Sequence, residues 1–460
     1  MPERAHVRSD PARLRQSNTL AITLENTHKM SDSSLRILLV GNGGREHTLA
    51  WKLAQSPLVD TIHIVPGNGG TAAVPKCVNG AGVSQEDFAA LVQYAKANNL
   101  NFLVPGPEAP LVAGITDYFE ANAPDVKVFG PSKAAAQLEG SKTFSKDFMK
   151  RHNIPTARYE NFTSYDAARA HLDAIDYRVV IKADGLAAGK GVILPETTAE
   201  AQAALKDIMV DNEFGAAGNS VVIEEHLDGD EISILSLSDG RAILSLPPAQ
   251  DHKRIGDGDT GPNTGGMGTY APAPVATPAI LAEIEEKVLQ PTVRGLQAEK
   301  LRFAGCLFTG FMLTSSGPRV LEYNVRFGDP ETQSCLALLE SDLAALMLAS
   351  TNGTLAEQKL ALSDRHACTV VVAAGGYPGS YAKGTPMNVS EPKEDGVYVF
   401  HAGTSRDAQG ALKTSGGRVI AATATGATLR EAVDRTYEGV KLIQFEGMQY
   451  RKDIAHRALK

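Results

Sequence analysis

Short apolar runs alternate with amphipathic stretches over the first third of the chain. Arg36–Gly41 reads RILLVG, an apolar run that flows into a glycine-rich turn, and an amphipathic segment from about Arg45 to Gln55 follows. That is strand, turn and helix. The pattern recurs, with strands at Ile62–Val65, Asn101–Val104 and Val126–Phe129 and helices near Gln85–Ala97 and Leu111–Ala121. Alternation at this length predicts a parallel sheet with helices on its faces, a first α/β domain over 35–136.

From residue 137 the texture changes. Helical segments at Lys142–His152 and Tyr165–Leu172 lead into a strand at Val179–Lys182, a glycine-rich loop, a strand at Val192–Leu194 and a helix near Thr198–Met209. Three β-rich runs follow at Ser220–Glu225, Ile232–Ser236 and Ala242–Leu246. Pro247–Pro274 shows no clear periodicity, and a loop of that length inside a compact domain is usually functional. A long helix over Pro278–Glu299 and strands at Ala304–Leu313 and Arg319–Arg326 complete a second domain, 137–357. A smaller α+β unit over 358–460 carries strands at Cys368–Ala373, Val397–His401 and Arg418–Thr425.

Composition narrows the class. With 460 residues, 43% hydrophobic and 21% charged, the chain resembles an ordinary globular protein of about three domains. No apolar run reaches the roughly 18–20 residues of a membrane-spanning helix, so no membrane partner is expected. Lys plus Arg number 45 against 53 Asp plus Glu, a net charge of −8, which leaves no broad basic footprint for nucleic acid. Cys77, Cys306, Cys335 and Cys368 are scattered without a CxxC pair, which fits a reducing compartment and a cytoplasmic location. Residues 1–34 lack the apolar segment of a secretory signal and read as a disordered or alternative-start leader.

Five stretches could carry chemistry. GNGGREH (Gly41–His47) opens a helix after a strand, so the backbone of Gly41, Asn42, Gly43 and Gly44 suits a phosphate ester, with Arg45 as its guanidinium partner. Glu46 stands where a dinucleotide fingerprint has its last glycine, and it would crowd a pyrophosphate. IKADGLAAGKGV (Ile181–Val192) places Gly185, Gly189, Lys190 and Gly191 between two strands and ends the first with Lys182. It is not a Walker A loop, and it reads as a flap that closes over a triphosphate. In VVIEEHLDGDEISI (Val221–Ile234) a hinge backbone could pair with an adenine edge, with Glu231 on ribose hydroxyls.

In LEYNVRFGDPETQ, Glu322, Asn324 and Arg326 alternate along one strand face. A carboxylate and an amide oxygen side by side suit a hard divalent cation, and Arg326 could neutralise charge on a transferring phosphoryl group. The long loop supplies QDHKR (Gln250–Arg254) and DTGPNTGGMG (Asp259–Gly268), which could hold a small zwitterion and an activated acyl group.

The order of these features resembles ATP-grasp ligases. The strings GNGGREH, PGPEAPLVAG, AAQLEGSKTFSKDFM, IKADGLAAGKGV, QDHKRIGDGDTGPNTGGMG, NVRFGDPETQ and RKDIAHRAL resemble the phosphoribosylamine–glycine ligase family over about residues 35–459. The resemblance implies a parallel-sheet N-terminal domain, an ATP-grasp core with a mobile flap over about 157–226, and a small α+β C-terminal domain. It also implies ATP as co-substrate, Mg²⁺ or Mn²⁺, glycine and 5-phosphoribosylamine as small-molecule partners, and glycyl phosphate as intermediate. By the same resemblance Lys142 and Lys182 hold phosphate, Glu224, Glu225 and Leu227 form the adenine hinge, and Glu231 meets ribose. Glu322 and Asn324 bind the metal. Gly41–Glu46 with Pro107 and Glu108 hold the phosphoribosylamine. Asn263, Thr264, Gly265, Gly266 and Met267, with Lys253 and Arg326, face glycine and the acyl phosphate. In many eukaryotes such a ligase is fused to further purine-pathway enzymes, so a fused domain or such enzymes are expected as partners.

Overall fold

The computed structural model describes residues 1, 34–80, 82–186, 191–211 and 215–459. The expected leader, Gly189 and Lys190 lie outside the described residues.

The first sheet is parallel, in the order β3-β2-β1-β4-β5, built from β1 (Leu35–Gly41), β2 (Val59–Pro66), β3 (Cys77–Asn79), β4 (Phe102–Pro105) and β5 (Lys127–Val128). Ile37, Leu38, Leu39 and Val40 are all buried, as a central strand covered on both faces requires. The single helix expected over Leu111–Ala121 is two, Glu108–Ala113 and Ile115–Asn122. Gly114 breaks it at φ 98°, a left-handed conformation that glycine adopts without steric penalty. The turns after β1 and β4 lie at the carboxyl ends of adjacent strands, where open α/β sheets bind ligands.

A second, four-stranded sheet joins β6 (Tyr159–Phe162), β7 (Val179–Ala183), β8 (Val192–Ile193) and β9 (Val221–Glu225) in the order β6-β9-β7-β8. Helices Tyr165–Ala174 and Thr198–Met209 pack on it through Ala168, Leu172, Ala201 and Leu205, a small core of its own. The third sheet, β11-β10-β16-β17, is antiparallel and holds β10 (Asp230–Ser238), β11 (Ile243–Ser245), β16 (Gly305–Thr314) and β17 (Gly317–Asn324).

The stretch without periodicity contains β12 (Gln250–Asp251), the hairpin β13 (Arg254–Gly256) and β14 (Thr260–Asn263), and β15 (Gly268–Ala271). β12 and β15 extend the sheet of the C-terminal part, in the order β12-β15-β18-β23-β20, where β18 is His366–Ala374, β20 Val397–His401 and β23 Arg418–Gly426. The expected long helix is interrupted by a π segment at Glu285–Leu289. Pro291 has no N–H to return to the Lys287 carbonyl, which explains the break in the α-helical ladder.

Candidate active site

The helix Lys142–Arg151 starts where the sequence caps it. The Ser141 hydroxyl accepts from the Phe144 N–H (3.1 Å) and donates to Asp184 (2.9 Å). Asp184 also receives the Thr143 hydroxyl (2.8 Å) and the Ser220 hydroxyl (2.8 Å), so one carboxylate ties the helix start to the ends of β7 and β9. One turn into that helix, Lys146 is buried and its ammonium lies 2.8 Å from Glu224 Oε2. Lys182, at the end of β7, lies 2.8 Å from Glu224 Oε1. Glu224, expected at the adenine hinge, lies near the end of β9, and its buried side chain bridges the two lysines. Burial, reinforced by Lys182 and opposed by Glu224, lowers the Lys146 pKa to about 8.

Both lysines reach β17. Lys182 donates to the Leu321 carbonyl (3.0 Å), and Lys146 donates to Thr156, which donates to the Val320 carbonyl (2.6 Å). Leu321 is the extra residue of a β-bulge, since Gly310 pairs with Glu322 while Phe311 pairs with Val320. A bulge leaves its residue outside the ladder and re-aims the strand. The side chain of Glu322, the next residue, makes no hydrogen bond or ion pair among the described residues. Burial alone would raise its pKa, but Lys142, Lys253, Lys182 and Arg326 outweigh it and bring the value to about 2. The positive field of four cations from four separate segments therefore keeps this carboxylate ionised. Two residues on, the Asn324 Oδ1 accepts from Arg326 (3.3 Å). An ionised carboxylate with no protein partner beside an amide oxygen fits a hard divalent cation.

β17 ends at Asn324, so Arg326 stands in the bend beyond it rather than on the strand. Its guanidinium lies 3.1 Å from Glu139 and 3.6 Å from Glu108, the residue that starts helix Glu108–Ala113 after Pro107. Glu139 also accepts the Val325 N–H (2.7 Å). Arg326 thus joins the metal-type strand to the turn after β4. The turn after β1 is more occupied than expected. Glu46 folds back, accepts the Gly43 N–H (2.6 Å) and the Arg45 Nε–H (2.6 Å), and fills the space beside Gly41 and Gly106. Arg45 is buried and also donates to the Phe327 carbonyl (2.9 Å). Its guanidinium is engaged inside the protein, and of this turn Asn42 alone is exposed, with Gly43 half-buried and Gly41 and Gly44 buried.

Lys253 reaches Glu231, so the residues expected at the acyl phosphate and at ribose form an ion pair. Burial would lower the Lys253 pKa, but Glu231, Glu322 and Asp251 raise it well above its ordinary value. Asn263 is exposed at the end of β14, while the Met267 side chain is fully buried in the core. Thr264 donates twice to the Lys253 carbonyl (2.7 and 2.8 Å), and Gly265 gives its carbonyl to Arg418 (2.7 Å). Gly266 has φ 112°, and a side chain there would meet Asp251 and Pro330. At the hinge, Glu225 binds Arg158 (2.6 Å) at the outer edge, so its carboxylate points away from the lysines. Gly185 and Gly191 flank the described ends of the loop between β7 and β8.

Sequence reasoning gave no role to Lys146, Glu331 and Arg418, and reached Asp251 only as part of the QDHKR string. Lys146 lies four residues after Lys142 on one helix face, a spacing that could have revealed it. Asp251 Oδ1 is buried without a hydrogen-bond partner, and burial together with Glu331 raises the Asp251 pKa. Those carboxylates meet only through the tertiary fold. A cavity of about 380 Å³ lined by His152, Pro155, Lys287 and Arg294 lies at the other end of helix Lys142–Arg151 and contains none of these groups.

One sheet that carries Lys182 on β7, and a second that carries Glu-x-Asn on its edge strand β17 and is reached by the same buried lysine, define an ATP-grasp protein. The phosphoribosylglycinamide synthetase models match over residues 35–139 for the N domain, 140–332 for the ATP-grasp domain and 367–457 for the C domain. The phosphoribosylamine–glycine ligase of Vibrio vulnificus is 49% identical over 92% of this chain and 99% of its own length. The bifunctional purine biosynthetic protein PUR2,5 of Pichia angusta is 54% identical over 93% of this chain, and the chain spans only 54% of that relative. Among solved structures, the phosphoribosylamine–glycine ligase of Thermotoga maritima aligns with TM-score 0.80 and 34% identity, covering 92% of this chain and all of that one. A biotin carboxylase domain from Hydrogenobacter thermophilus, 15% identical with TM-score 0.71 over 91% of this chain and 92% of its own, shares the fold alone. The chain belongs to the phosphoribosylamine–glycine ligase family.

Proposed function

We propose that this chain joins glycine to 5-phosphoribosylamine at the expense of ATP, giving glycinamide ribonucleotide, ADP and phosphate in the cytoplasm. The observation that carries the reading is Glu322 beside Asn324 on β17, with Lys182 donating to the neighbouring Leu321 carbonyl and Arg326 to the Asn324 amide oxygen. Phosphoryl transfer needs in-line placement and charge neutralisation more than a protein nucleophile. A glycine carboxylate oxygen attacks the γ-phosphorus, the bond to the β,γ-bridging oxygen breaks, and ADP leaves. The amine of phosphoribosylamine then attacks the acyl carbon of glycyl phosphate, the carbon–oxygen bond to phosphate breaks, and one amine proton is released.

In this reading Lys142 and Lys182 hold the phosphates, with Gly185, Gly189, Lys190 and Gly191 as the covering flap, and the backbone through Glu225 and Leu227 meets adenine beside Glu231. Glu322 and Asn324 hold Mg²⁺ or Mn²⁺, which supplies Lewis-acid stabilisation of phosphate charge. The turns at Gly41–Gly44 and Pro107–Glu108 take the phosphoribosylamine. Asp251 and Glu331 offer carboxylates to the glycine ammonium, close to Lys253. A fused purine-pathway enzyme is the proposed partner, as in the bifunctional fungal relatives. The decisive assay is ADP release with glycine and phosphoribosylamine, with the product mass measured. Release that persists without glycine, or an acid and amine pair that substitutes freely, would point to another ATP-grasp ligase.

Lys146 gives the reading a pH signature. Below about 8 its ammonium completes the charge shared with Lys182 and Glu224; above it the neutral amine leaves Lys182 to Glu224 alone. The kcat/KM for ATP is therefore expected to fall as pH rises through about 8. In Lys146→Arg, whose charge persists, the fall should move to higher pH. An alkaline limb unchanged by that substitution would assign the titration to another group.

A further inference from the structure

The string RKDIAHR near the C-terminus has no part in the chemistry above, yet it closes on both sides of Lys253. Arg457 donates to the Asp251 carbonyl (3.4 Å), the Ala455 N–H donates to His252 Nε2 (3.0 Å), and Arg451 donates to the Arg254 carbonyl (3.2 Å). These contacts give direction, and buried charge pairs supply strength. Arg451, fully buried, forks onto Asp453 (2.8 and 2.8 Å) and reaches Asp259 Oδ1 (2.7 Å), while Arg457 takes Asp259 Oδ2 (2.8 Å). Charge-assisted forks of this kind are the stronger and more directional hydrogen bonds. The hairpin tip is caught as well, with the Gly258 N–H on Asp453 (2.8 Å) and the Lys452 N–H on Asp257 (2.8 Å). With its own carbonyl fixed by Thr264, Lys253 keeps only its side chain free, and that chain projects toward Glu231.

His252, Asp259 and His456 stand close enough to resemble a metal site. Their chemistry speaks against it. His252 Nε2 accepts the Ala455 N–H, so the ring proton sits on Nδ1, the atom that faces Asp259, and both Asp259 oxygens already carry guanidinium donors.

We infer that the Arg451–Arg457 segment is a positioning element for Lys253, with Arg457 and Arg451 holding the backbone on either side of it. The inference rests on the proposed role of Lys253 at the acyl phosphate. Arg457 is the residue to change, since its side chain is 30% exposed and Arg451 still pairs with Asp259 when it is removed. In Arg457→Met, kcat is expected to fall roughly 10- to 100-fold, the cost of a small misplacement near a reacting centre, with the KM for ATP unchanged and the melting temperature only slightly lowered, since Arg451 still holds Asp259. Arg457→Lys should recover most of the loss. In a Lys253→Met background, Arg457→Met should cost nothing further, because the residue it positions is gone. Undiminished additional loss in that background, or wild-type kcat in Arg457→Met or in Lys253→Met, would overturn the inference. Absence of ligation by the unaltered chain would reject the ligase reading itself.

Discussion

Glu322→Ala is expected to lower turnover by roughly 10²–10³-fold or more, the scale of losing a preorganised electrostatic stabiliser in a closed site. The field of Lys142, Lys182, Lys253 and Arg326 keeps this carboxylate ionised, and its side chain has no protein partner of its own among the described residues. Without it the cluster keeps its cations and loses the oxygen that would hold the metal, so ATP binds without correct orientation of its γ-phosphate. Glu322→Gln preserves the shape and should be nearly as damaging, which separates charge from packing. Excess Mg²⁺ should not restore the wild-type rate in either variant. Turnover within a few-fold of wild type would remove Glu322 from the metal site.

The same carboxylate has a stability signature. Its folded pKa of about 2 lies below its ordinary 4.5. A depressed carboxylate contributes stability that is fully present above the unfolded value and is lost as pH falls toward the folded one. Wild type should therefore lose this contribution between about pH 4.5 and pH 2, and Glu322→Gln should lack that part of the acid transition.

Much of the fold was legible because its signals are local. The apolar run at β1, the capping threonine before helix Thr198–Met209 and the β-branched run of β9 each specify an element from adjacent residues. Helix Glu331–Ala337 was not legible, since its Glu, Thr, Gln and Ser are buried against other sheets and no polar face advertises a helix. The strands inside Gln250–Ala271 were hidden for a related reason: β15 pairs with a strand that lies about a hundred residues later in the chain, and β12 in turn pairs with β15. For the site, residue types in motifs pointed to Lys182, Glu322 and Arg326. Their partners could not be read this way. Glu224 became a bridge between lysines, and Arg45 and Glu46 turned inward on each other, because side-chain direction is settled by the packing of whole elements.

Arg326→Met is expected to lower kcat by about 10³-fold while leaving the KM for ATP nearly unchanged, since a guanidinium that stabilises a transferring phosphoryl group is worth about 10³–10⁵. Arg326 stands beside Asn324, and its contacts with Glu139 and Glu108 hold it in place. Removing it leaves Glu139 buried without its cation. Burial already raises the Glu139 pKa, so the orphaned carboxyl is expected to take up a proton rather than remain charged, which limits the loss of stability to about 1–3 kcal/mol. The double variant Arg326→Met with Glu139→Gln tests that account. It should regain stability, measured by thermal melting, without regaining turnover, because the amide repairs the buried partner and supplies no positive charge to the phosphate. Recovery of kcat in the double variant would mean that Arg326 serves the fold around Glu139 and takes no part in phosphoryl transfer.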